Sequence, residues 1–101
     1  MDNITPAIVN EFKERMHITH GGEDDNLKRI LSASDVALRN ACGNYDIKVD
    51  EDYKELVFER SRYVYNDALE YFNVNFQSQI NTLGISKALE EIEVGDINAT
   101  I

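Results

Sequence analysis

Residues 23–42 read EDDNLKRILSASDVALRNAC, and this stretch decides the fold. Leu27, Ile30, Leu31, Ser34, Ala37, Leu38 and Ala41 recur at intervals of three and four, the spacing that gathers side chains on one face of a helix. The small residues among them let a neighbouring helix come close. Glu23, Asp24 and Asp25 place negative charge in the first turn, where the helix dipole favours it. Gly43-Asn44 follows as a stop signal. The spacing therefore predicts an amphipathic helix over about 23–42, one face of which needs a helical partner.

Toward the N-terminus, Thr5-Pro6 is a helix start: threonine caps well, and proline suits a first turn that needs no amide donor. Ile8, Val9, Phe12 and Met16 then keep helical spacing, predicting a helix over about 6–15. Gly21-Gly22 mark a flexible turn before the next helix. On the other side, residues 43–50 read as a polar loop, with Asp50 placed to cap a third helix.

That helix is expected to be the longest, over about 51–73. Val57, Ser61, Val64, Ala68 and Tyr71 share one face. Phe58, Tyr65 and Phe72 form a second stripe beside Tyr53, Leu69 and Phe76. A helix apolar on two sides has neighbours on two sides, leaving room for another subunit. Asn73-Val74-Asn75 are poor helix formers and predict a bend. Phe76, Ile80 and Leu83 suggest another turn or two, Gly84 interrupts, and Ile85, Ala88, Leu89 and Ile92 suggest a last short helix. The expected architecture is all-α, a small bundle of three main helices plus a short C-terminal helical segment. Residues 1–92 form its single domain, and 93–101 a flexible tail.

The chain has 101 residues and a net charge of −9, from 10 Lys and Arg against 19 Asp and Glu. Such a surface repels phosphate backbones and anionic membranes, so neither nucleic-acid binding nor membrane association is expected. Met1 to Pro6 lacks the pattern of a signal peptide, and no apolar run approaches the roughly 18 residues of a membrane span. Cys42 is the only cysteine, which excludes an intrachain disulfide and a cysteine-based metal centre and fits a reducing cytoplasm.

No catalytic pattern stands out. His17 and His20 precede Glu23, Asp24 and Asp25, but two glycines and a helix end leave their geometry undefined, so no metal is expected there. Cys42 has no activating partner by any local signature. The sequence holds no Walker phosphate loop and no G-x-S-x-G elbow around a serine. Neither catalysis nor a cofactor is expected. The candidate residues are instead those of a protein interface. Arg60 and Arg62 lie mid-helix among apolar neighbours, Tyr65 and Phe72 belong to the aromatic stripe, and Ile85 and Leu89 sit in a segment rich in acids from Glu90 onward. That segment, 85–101, has apolar anchors but little local structure, so it is expected to be mobile alone and ordered on a partner.

The order of features carries a resemblance. A short opening helix leads to I-T-H-x-x-x-D-D at Ile18 to Asp25, then LKRILSAS at Leu27 to Ser34. A glycine-ended loop, a long tyrosine-rich helix and FQSQINTL at Phe76 to Leu83 follow. Over about residues 4–92 this resembles the head–tail connector, or head-completion, proteins of long-tailed bacteriophages. The resemblance implies a helical bundle without catalytic residues, made in the bacterial cytoplasm. It implies a homo-oligomeric ring, commonly twelvefold, at the head–tail junction of the virion. There the ring would touch the portal protein and the next connector while DNA passes through its lumen unbound. The competing expectation is a small acidic helical binding module, or regulator, acting on a basic protein partner.

Overall fold

The computed structural model describes residues 3–99, with side chains described for 3–92. Four helices run α1 (Pro6–Met16), α2 (Asp24–Cys42), α3 (Glu51–Tyr65) and α4 (Phe72–Ala99), with a 3₁₀ turn at Leu69–Tyr71 and no strand among the described residues. The protein is all-α.

The first two helices form where the residue spacing places them. Thr5 Oγ1 accepts the Ile8 amide at 3.2 Å, with Pro6 at the first helical position. α1 ends at His17, which adopts the left-handed conformation (φ 60°) while the Ile18 amide closes onto the Lys13 carbonyl at 2.9 Å. α2 buries Leu27, Leu31, Ser34, Leu38 and Cys42, but its buried face is turned from the expected one: Asp35 is inside and Ala41 outside. Gly43 ends α2 at φ 113°, a conformation that disfavours a side chain. A Cβ there would also stand 2.5 Å from Lys87 Cγ of α4.

The third helix is shorter than expected. It stops at Tyr65 because Asn66-Asp67, two weak helix formers that tolerate left-handed backbone, turn the chain, with Asp67 at φ 57°. The Ala68 amide then reaches back to the Tyr63 carbonyl at 2.8 Å. What the sequence suggests as one helix over 51–73 is thus a helix, a turn and the start of another. The C-terminal segment is correspondingly longer. α4 bends at Phe76 (φ −119°, ψ 17°), just past Asn73-Val74-Asn75, and then passes through Gly84 without interruption. Gly84 faces α2, where a Cβ would meet the Ala41 carbonyl oxygen at 3.5 Å, an ordinary contact. The tail expected at 93–101 falls on residues whose side chains lie outside the described ones, as do residues 100 and 101 altogether.

α2 packs against α1, α3 and α4. The core joins Phe12, Leu27, Leu31, Tyr53, Val57 and Phe58 with Phe72 from α4. Phe12 and Phe58 rings meet at 5.5 Å, so α3 has α1, α2 and α4 of its own chain as neighbours. Two buried residues escape helical periodicity because each lies outside a helix: Ile4 before α1 and Ile47 in the loop 43–50. The molecule is long, 58 × 28 × 18 Å with a radius of gyration of 15.4 Å. A compact chain of this length has about 13 Å. α4, at about 1.5 Å per residue, outruns the bundle; every residue from Ala88 to Ile92 is exposed.

Candidate interaction surfaces

The bundle is pinned by polar groups in its core. Asp35 is only 3% exposed. The Tyr53 hydroxyl donates to Asp35 Oδ1 at 2.7 Å, with the Asp35 carbonyl 2.8 Å away. Asn3 Nδ2 donates to Asp35 Oδ2 at 3.3 Å, and Arg39 Nε lies 3.4 Å from the same oxygen. Nearby, Ser61 Oγ and Arg60 Nη1 each donate to Ser34 Oγ at 3.0 Å. Arg39 Nε has no hydrogen bond, but the bonds from Tyr53 to Asp35 and from Arg60 and Ser61 to Ser34 fix the register of α2 against α3, since any slip would break them in the interior.

Burial, together with the hydrogen bond to Asp35, pushes the Tyr53 phenol well above its ordinary range. An acid whose pKa is raised by folding stabilises the folded state in its protonated form, so the contribution is full below about pH 10 and is lost as pH rises further. Urea unfolding followed between about pH 9 and about pH 11 should show stability falling with pH, and the slope should be shallower in Tyr53→Phe. An unchanged slope would mean that Tyr53 ionises freely in the folded protein.

The expected interface residues fall into two groups. Four are engaged within the chain. Arg60 is tied to Ser34, and burial pulls its guanidinium below the ordinary value. Arg62 donates to Glu59 Oε1 at 2.6 Å and lies over the Tyr63 ring, and the Glu59 bond holds its pKa up. The Tyr65 hydroxyl donates to Glu23 at 2.8 Å, joining the end of α3 to the start of α2. Phe72 is 1% exposed and stacks with Phe76 at 5.1 Å, so its ring has no surface left for a partner in this fold. The other two, Ile85 and Leu89, are 59% and 56% exposed. With Ile92, 50% exposed, they stand at i, i+4 and i+7, one apolar face that begins on the outer side of the packed part of α4 and runs onto the part that leaves the bundle. Lys87 anchors the root of this extension, its ammonium 4.4 Å from the centre of the Tyr45 ring, and Tyr45 donates to the Leu83 carbonyl at 2.7 Å.

Sequence reasoning missed a second surface, a groove of ≈ 350 Å³ between α3 and α4. Leu56, Phe76 and Leu83 supply its apolar surface, Asp52, Glu55 and Glu59 one wall, and Ser78, Gln79 and Thr82 the other. Asp52, Glu55 and Glu59 are spaced to share a face of α3, a signal readable in the sequence, but the opposite wall depends on where α4 turns back.

Cys42 lies inside, its thiol 3.7 Å from the Ile80 carbonyl, and burial raises its pKa, which disfavours the reactive thiolate. His17 caps α1, and His20 Nε2 lies 3.4 Å from Glu23. Among the described residues no three His, Cys, Asp or Glu are grouped to hold a metal ion, and no helix is long and apolar enough to cross a membrane. Protein-family models, curated proteins and solved structures give no match to this chain.

Proposed function

We propose that the chain is a structural subunit of a phage head–tail connector, forming a ring beneath the portal and continuing the DNA channel toward the tail. The observation that carries this reading is the apolar face of Ile85, Leu89 and Ile92 on a helix that leaves its own bundle. Covering each side chain would contribute up to about 1.5–3 kcal/mol before the entropy of association is subtracted. An extended helix with such a face suits a protein whose work is to join others.

The mechanism is geometric. Subunits pack side by side, one end of each meets the portal and the other the next connector. The net charge of −9 suits a lumen through which DNA must slide. A twelvefold ring would match the usual count of this family. The test is co-expression with the portal protein encoded in the same genome. A stable complex isolated through the portal is the expected result; a portal that purifies free of this chain, at matched expression, contradicts it.

A further inference from the structure

We infer that the groove between α3 and α4 receives a cationic amphipathic segment of a partner protein, with apolar side chains against its floor and Lys or Arg side chains toward Asp52. The groove is extended by a second depression of ≈ 320 Å³, and the two share Asp52 and Leu83. Together they follow α4 from Phe76 to Ser86. That is about 15 Å at helical rise, the length of roughly three helical turns or four to five extended residues.

Charge selects the occupant. Asp50 and Glu51 join the three wall acids in lining this path, and no Lys, Arg or His lines either depression. Counter-ions reach Glu51, Glu55 and Glu59 from beside the path: Arg15 pairs with Glu55 and Glu59, Arg62 with Glu59, and Lys54 with Glu51. The Asp52 carboxylate has no hydrogen bond or ion pair among the described residues, and it stands where the two depressions meet. A segment carrying both apolar and basic side chains satisfies the floor and the wall together. A second copy of this chain, itself at −9, meets the wall with like charge. This inference holds whether the chain sits in a ring or acts alone, and its test needs no portal.

The test uses the full chain and three labelled synthetic peptides, read by fluorescence anisotropy. One has leucine and lysine at helical spacing, one has glutamate for each lysine, and one has lysine with serine for each leucine. Only the first should bind. Asp52→Lys adds a repelling charge, and Thr82→Arg does so from the exposed opposite wall; each should weaken binding about tenfold. Glu70→Lys, the same charge change on an exposed residue outside both depressions, should stay within about twofold. Equal binding of the serine–lysine peptide, an equal loss in Glu70→Lys, or no binding of the first peptide overturns the inference. So does a wild-type dimer, seen by sedimentation, that Asp52→Lys abolishes, because the occupant would then be a second copy.

Discussion

Leu31→Ala should lower the free energy of unfolding by about 2–5 kcal/mol, the range for deleting a leucine side chain from a core that cannot collapse around the gap. Leu31 is fully buried in α2, the helix that packs on the other three. Against a total stability of about 5–15 kcal/mol, such a loss is a large fraction. In a domain of this size it shifts the melting temperature by about 4–8 °C per kcal/mol. Val64→Ala is the contrast: Val64 is half-buried in the last turn of α3, and two methyl groups there are worth about 1 kcal/mol or somewhat more. Thermal melts that order the two variants the other way would show that the buried face of α2 is misassigned.

α1 and α2 were legible because their signals agree. Thr5-Pro6, the acids at the head of α2, Gly43 and the apolar spacing all point to the same boundaries. The division between α3 and α4 was not legible, because apolar spacing continues across it: Val64, Ala68 and Tyr71 fit one helical face as though nothing intervened. Only Asn66-Asp67 mark the turn, through a tolerance of left-handed backbone that outweighs the periodicity. Gly84 misleads in the opposite direction. Read alone it interrupts a helix, yet it lies within α4, where a Cβ would make only ordinary contact with the Ala41 carbonyl of α2. The interface candidates divide along the same line. Phe72 belongs to a stripe that the fold uses internally, whereas Ile85 faces away from the bundle and Leu89 lies where α4 runs past it.

The double substitution Ile85→Glu with Leu89→Glu should leave the free protein folded and abolish its assembly with the portal. Both positions are more than half exposed, so the stability change of the isolated chain should stay within about 0.5 kcal/mol per site. Glutamate is also a good helix former, and α4 should keep its helicity. In an interface the same carboxylates would lose their water without gaining a partner, a penalty that outweighs the apolar contact they replace. Circular dichroism and thermal melts check the first half, and recovery of the chain with portal protein the second. A variant that unfolds would place this face in the core; one that assembles normally would remove it from the interface.

Cryo-electron microscopy of the portal protein purified with this chain would show whether it is a connector subunit. A connector subunit should appear as a closed ring of helical subunits beneath the portal, with Ile85 and Leu89 of each α4 covered by the portal or by the adjacent subunit. Portal particles without that ring, or a ring in which both side chains face water, would contradict it.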